Sequence, residues 1–309
     1  MTALHAPLAV PSPSEVEPQA VALFRATRPR QWLKSVLVLA APTAAGVLLH
    51  ARVEAAVLVA VAAFTLAAAG CYLINDVVDR ELDRAHPVKR LRPVACGAVG
   101  TRPALLVGAS LVCTGLVAAA TQSAVLLMIV ALYAGTTLAY AYRLKAVPWL
   151  ELAIVASGFV LRALAGGIAA SVPVSAWFLL VTTAAAVLIV VSKRLSEAIE
   201  APTDPGRIRP VLRRYRLKDL RRVQIAAAGL LLLSYAGWAA TRPTTASAVF
   251  AGVSLLPVSA VVWLWIRRSD QGRAGAPEDL LLGDRTLRFL VLVWALTFLV
   301  AVAASVGGR

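Results

Sequence analysis

The chain has 309 residues, 60% of them hydrophobic, with a mean hydropathy of +0.77 and a formal net charge of +15. So apolar a composition excludes an ordinary soluble domain. The charge does not mark a nucleic-acid partner either, because the basic residues are dealt out between apolar runs, as in the loops of a membrane protein.

Residues 1–24 read as a flexible N-terminal tail on the cytoplasmic side. They begin Pro-rich and polar, with no basic stretch leading into an apolar core, so no cleavable signal is expected. Residues 25–309 read as one transmembrane domain, entered through a short amphipathic lead-in with Trp32 as interfacial anchor. Nine apolar runs approach the roughly 20 residues a crossing helix needs. They lie at about 33–50, 54–75, 103–121, 123–141, 149–170, 175–192, 223–240, 246–266 and 286–306. Some are short or contain Gly, which leaves the count at eight or nine. The fold class is therefore all-α and polytopic. The polar stretches after the second and sixth runs match in position and hint at two four-helix halves.

With the N-terminus in the cytoplasm, all of the 31 Lys and Arg except Arg52, Arg162, Arg242 and Arg309 fall on the cytoplasmic side. A transport path would have little polar lining. Cys71, Cys96 and Cys113 are odd in number, lack metal-ligand spacing and read as small packing residues.

The densest polar chemistry follows the second run, from Asn75 to Pro93. On a helix Asn75, Asp79 and Asp83 fall at i, i+4 and i+8, and Asp76 stands three residues before Asp79, so four oxygen-bearing side chains share a stripe. Like charges so spaced repel by a few tenths of a kcal/mol per pair, which points to a cation. Oxygen ligands without His or Cys suit a hard ion, Mg²⁺ with a phosphate better than zinc. Lys89, Arg90 and Arg92 follow as donors for phosphate oxygens. The stretch reads as a metal–diphosphate site.

Further along, Tyr140 and Lys145 close the fourth run, where tyrosines ordinarily form an interfacial belt and lysines snorkel. Arg162 lies mid-run, where a charge costs at least about 2.5 kcal/mol. It either pairs with Glu151 or another acid, or contacts an anionic substrate. Lys193, Arg194 and Glu197 end the sixth run, as a surface salt bridge or as a clamp for substrate phosphates. Arg207 to Arg222 reads as a basic segment on an anionic membrane surface, and Pro277 with Glu278 and Asp279 as a helix start.

Together these residues resemble the UbiA-type superfamily of intramembrane prenyltransferases. Its Asn-Asp-x-x-Asp-x-x-x-Asp motif is present as Asn75, Asp76, Asp79 and Asp83, followed by His86-Pro87-x-Lys89-x-x-Arg92-Pro93. Leu161-Arg162-Ala163-x-Ala165-Gly166-Gly167, Ser175-x-Trp177-Phe178-Leu179, Lys193-Arg194-x-x-Glu197, Pro277-Glu278-Asp279 and Asp284-Arg285 make it most similar to the decaprenyl-phosphate phosphoribosyltransferase branch. The aromatic prenyltransferases carry a second Asp-x-x-x-Asp motif where this chain has Lys193-Arg194-x-x-Glu197, a departure that suits a donor richer in phosphate.

The resemblance implies about nine transmembrane helices around a central cavity opening to the cytoplasm, in the plasma membrane. It implies transfer of phosphoribose from phosphoribosyl pyrophosphate to decaprenyl phosphate for arabinan cell-wall precursors, with Mg²⁺ as cofactor and a homo-oligomer left open. Asp76, Asp79 and Asp83, assisted by Asn75, would hold the metal. Lys89, Arg92, Lys193 and Arg194 would hold donor phosphates, with Glu197 helping on a metal or hydroxyl. Arg162, Lys145 and Tyr140 would take the acceptor phosphate or the ribose. The alternative is an enzyme moving an isoprenoid from its diphosphate to a small acceptor.

Overall fold

In lipid a backbone polar group has no water to turn to, so a crossing segment must satisfy its own N–H and C=O groups. The apolar runs do so as helices, and the described residues, 18–200 and 210–306 of the computed structural model, contain no strand. The chain begins with α1 (Gln19–Ala26), α2 (Pro29–Trp32), a 3-10 stretch Leu33–Leu39 and α3 (Ala40–Ala44). Next come α4 (Ala51–Val78), α5 (Arg80–Arg84), α6 (Thr101–Ala120), α7 (Ala124–Tyr142), α8 (Leu150–Ala169) and α9 (Ala176–Glu200). The remainder is α10 (Leu217–Ala240), α11 (Thr245–Val253), α12 (Leu255–Asp270), α13 (Pro277–Gly283) and α14 (Arg285–Val306). Among the described residues eight helices are long and apolar enough to cross a membrane, α11 and α12 counting as one through Ser254.

The first apolar run differs from its expectation of one continuous helix over 33–50. Pro42 has no N–H for the carbonyl of Val38, the stretch before it winds as 3-10, and Gly46 leaves the helix at φ +73°. The segment nonetheless runs the length of α4. Arg28 reaches Asp76 near the C-terminus of α4, whereas Gly46 abuts Val302 and Val306 at the C-terminus of α14, and His50 leads into the start of α4. Residues 29–44 span roughly 27 Å, close to a bilayer's hydrocarbon thickness.

Lipid tails are as apolar as Leu, so these helices hold together through close packing of small residues. A Cβ on Gly70 would stand 2.4 Å from the carbonyl oxygen of Gly108, and one on Gly115 2.7 Å from that of Ala63, so α4 and α6 cross nearly backbone to backbone. A Cβ on Gly166 would stand 1.7 Å from the oxygen of Val38, the carbonyl Pro42 cannot serve, so α8 seats the broken segment. Leu58, Leu106, Leu132, Leu233 and Leu296 face outward to lipid.

Two cores result. One packs α4, α6, α7, α8 and the first segment around Val57, Phe64, Leu126 and Val130; the other packs α9, α10, α11, α12 and α14 around Leu231, Tyr235, Trp238 and Val262. Leu152, Val190, Leu195 and Leu220 join them across α8, α9 and α10. Each core takes four of the eight long apolar helices, and the first also takes the opening segment.

Candidate functional site

The acidic stretch begins inside α4 and continues past a small break. Asp79 leaves helical geometry at φ −90°, ψ 1°, but its N–H still donates to Asn75 C=O at 2.9 Å and Asp83 N–H to Asp79 C=O at 2.8 Å. The helical phase therefore survives, and the stripe resolves into two neighbouring ridges. Asp76 and Asp83, two turns apart, both meet Arg92, whose Nη1 is 3.4 Å from Asp76 Oδ1 and 2.5 Å from Asp83 Oδ2. Asn75 donates to Asp79 Oδ2 at 3.3 Å, and Lys145 from beyond α7 pairs with Asp79 Oδ1.

Arg92 comes back to the stripe because the intervening loop folds on itself. The N–H groups of Val88 and Lys89 donate to His86 Nδ1 at 3.2 and 3.3 Å, and Arg84 Nε donates to Ala95 C=O at 2.9 Å. Asp76 has a second cation, Arg28, which also lies 5.0 Å over the Tyr72 ring. Arg28 stands at φ 57°, ψ 66°, a left-handed conformation that costs roughly 1–2 kcal/mol for an L-residue. Asp76 and Asp83 are each only 2% exposed, so their charges are affordable only with such partners. Asn75, Asp79, Lys89, Tyr140, Lys145, Lys193 and Glu197 are half-buried.

Asp76 and Asp83 both reach the same Arg92 nitrogen and so lie close together, and one or two carboxylates completed by water and phosphate oxygens is the ordinary protein share of a Mg²⁺ shell. The donor set thus fits that ion. Among the described residues no three His, Cys, Asp or Glu side chains gather to hold a metal by themselves.

The third wall departs from the sequence reading. Arg194 is 3% exposed and Glu151, in the first turn of α8, 0%. Arg194 donates from Nε and Nη2 to the two Glu151 oxygens, both at 2.6 Å, and from Nη1 to Glu197 at 2.7 Å. A guanidinium so closed is not a free clamp for donor phosphates. It ties α8 to α9, with Tyr215 donating to Glu151 at 3.2 Å and receiving the Trp149 N–H at 2.9 Å. Burial pushes the Tyr215 phenol up to about 12, so it stays a donor. Because Glu151 is committed to Arg194, it is not the partner of Arg162. Arg162 donates to Tyr133 Oη and Gly158 C=O, both at 2.8 Å, with the Tyr133 and Phe64 rings 4.5 and 5.7 Å away. It is 4% exposed, its Nε has no hydrogen-bond partner, and among the described residues no carboxylate pairs with it.

Sequence reasoning missed a contact between the first segment and α13: Gln31, one turn after Arg28, donates to Glu278 at the start of α13. Burial raises the Glu278 carboxyl, but the Lys34 charge and the Gln31 hydrogen bond outweigh it and hold it below its ordinary value. Nothing in the local pattern distinguished Glu278 from a helix-start acid, because its partners are remote in sequence. Of the basic surface segment, Arg207 and Arg209 lie outside the described residues, as do residues 1–17. The described part continues as a 3-10 turn at Pro210–Arg214 into α10, with Arg221 paired to Asp270 at 2.8 Å.

The UbiA prenyltransferase family model matches residues 39–277, and the chain belongs to that family. The chain is 40% identical over 285 residues to the decaprenyl-phosphate phosphoribosyltransferase of Mycobacterium tuberculosis (strain ATCC 25618 / H37Rv), covering 91% of this chain and 94% of that protein. It is 35% identical over 286 residues to the Corynebacterium glutamicum protein of the same name, covering 91% and 86%. Among solved structures, a UbiA homolog from Archaeoglobus fulgidus bound to GPP and Mg2+ superposes with a TM-score of 0.70 at 18% identity, over 93% of this chain and 99% of that one.

Proposed function

We propose that this protein transfers the 5-phosphoribosyl group from phosphoribosyl pyrophosphate to decaprenyl phosphate and releases pyrophosphate. The observation that carries this reading is the identity of 35–40% over about nine-tenths of the chain to relatives bearing that activity in their names. The charge pattern agrees: Lys193 and the closed Arg194 stand where a second acidic motif would serve a prenyl diphosphate. The site opens to the cytoplasmic face of the plasma membrane, where the Lys and Arg are concentrated.

In this reading Asp76 and Asp83, flanked by Asp79 and Asn75, hold Mg²⁺ together with the donor. Bound there, Mg²⁺ supplies positive charge to the leaving pyrophosphate. Lys89, Arg92 and Lys193 hold the donor's phosphates, and Arg194 acts indirectly by fixing the α8–α9 wall. Lys145 and Tyr140 face the acceptor phosphate at the end of α7, with the Arg162 charge deeper in the bundle. The acceptor oxygen attacks C1 from the face opposite the pyrophosphate: the new O–C1 bond forms as the C1–O bond to pyrophosphate breaks. C1 takes on oxocarbenium character, and the α-configured donor gives a β product. A phosphate monoester, with a second pKa of about 6, is already anionic at neutral pH and needs no general base.

The test is transfer of label. Purified protein in detergent with Mg²⁺, radiolabelled phosphoribosyl pyrophosphate and decaprenyl phosphate should carry label into the organic phase, and EDTA should abolish it. No label there, from a preparation that consumes a prenyl diphosphate with an aromatic acceptor, would overturn the reading.

A further inference from the structure

Glu278 faces basic side chains. Gln31 takes its Oε1, and Lys34 and Lys193 lie near enough to feel its charge. Gln31 is one helical turn from Arg28, and Arg28 pairs with Asp76, so Glu278 is joined through a single turn to the acidic ridge. It arrives from α13, whose first residue is Pro277, and stays half-buried at the junction of the first segment and the end of α9.

A carboxylate there is out of place if every neighbour serves phosphates, since it repels them. Its chemistry suits the uncharged part of a phosphorylated sugar. An ionised carboxylate only accepts, with about four lone-pair positions, and after Gln31 and its own backbone N–H it retains acceptors for two neighbouring hydroxyls. A carboxylate on ribose hydroxyls is a recurrent solution in nucleotide sites. We propose that Glu278 binds the ribose hydroxyls of the donor, and that Gln31 and Lys34 aim it. This rests on the phosphoribosyl-transfer reading and deepens it: Glu278 makes the site choose a sugar phosphate over an isoprenoid diphosphate, which has no hydroxyls to offer.

The experiment measures kcat/KM for phosphoribosyl pyrophosphate and for its 2-deoxy and 3-deoxy analogues, in wild type, Glu278→Ala and Glu278→Gln. Comparing ratios between variants cancels both the analogues' intrinsic reactivity and the fraction of protein folded. A hydrogen bond to a charged group corresponds to on the order of 10–100-fold in rate. The wild type should prefer the full donor over at least one deoxy analogue by that much more than Glu278→Ala does, and Glu278→Gln should fall between. Equal ratios in an active wild type and Glu278→Ala, for both analogues, would overturn the ribose contact and leave the transfer reading intact. Failure of the wild type to transfer phosphoribose at all would overturn both.

Discussion

The Glu151–Arg194 pair separates a structural from a substrate-binding role for Arg194. Glu151 is fully buried and Arg194 3% exposed, with both carboxylate oxygens engaged at 2.6 Å. Removing one partner of a buried pair ordinarily costs about 3–5 kcal/mol. Glu151→Ala should cost about 3 kcal/mol, the low end, because Glu197 still receives one Arg194 nitrogen at 2.7 Å. At about 2–4 °C per kcal/mol for a chain of a few hundred residues, the transition in detergent should fall by roughly 6–12 °C. The change in intrinsic fluorescence from the chain's 7 tryptophans reports it. Replacing both partners, as Glu151→Leu with Arg194→Met, removes the stranded charge and fills the space, so most of the loss should return. If Arg194 only fixes the wall, that double variant should transfer phosphoribose within roughly tenfold of wild type, since about 1.4 kcal/mol of misalignment is a tenfold effect. A double variant as unstable as Glu151→Ala would refute the energetic argument. One that is stable but inactive would put Arg194 back on the substrate.

Other outcomes follow from the same geometry. Asp79→Ala should retain the folded bundle by size-exclusion chromatography and lose transfer by on the order of 100-fold or more; near-normal turnover would remove Asp79 from the site. Gly166→Ala puts a methyl carbon 1.7 Å from the Val38 oxygen, so the first segment must move off α8, and the yield of monodisperse protein should fall sharply, whereas Gly229→Ala, with nothing within 4 Å, should be neutral. For pH, a carboxyl held below its ordinary value stabilises the fold fully above that value and loses its contribution as pH falls through the depressed one. Hydrogen exchange in α13 should accordingly be the same at pH 7 and pH 6 apart from intrinsic rates, and increase only below the ordinary glutamate range of about 4.3. Loosening between pH 7 and 6 would contradict the ionised Gln31–Glu278 contact.

How much of this was legible depended on the distance over which each residue acts. The acidic ridge was readable because Asn75, Asp76, Asp79 and Asp83 share one helix and repel locally, which is a pattern within nine residues. Its division into two ridges was not, because that is set by Arg92 and Lys145, which reach the stripe from separate loops. The partner of Arg162 stayed open for a similar reason: Glu151 lies on the same helix, but Arg194 from α9 holds it with two parallel hydrogen bonds. Hydropathy also gave the first run as one helix. Its mean apolarity is high enough, and only the single missing N–H of Pro42 and the turn at Gly46 divide it.

That divided first segment has a consequence for how the protein is made. Both of its ends also contact the last part of the chain: Gln31 pairs with Glu278, separated by 247 residues, and Gly46 abuts Val302 and Val306. A ribosome adding 5–20 residues per second reaches Glu278 roughly 12–50 s after Gln31. For that interval the opening segment has α4, α8 and the Arg28–Asp76 pair to lean on but neither of its fastenings to the end of the chain. The bundle therefore closes as a ring does, by its two ends meeting, and the turn that carries Arg28 gains its second hold, Gln31 on Glu278, only when synthesis is nearly over.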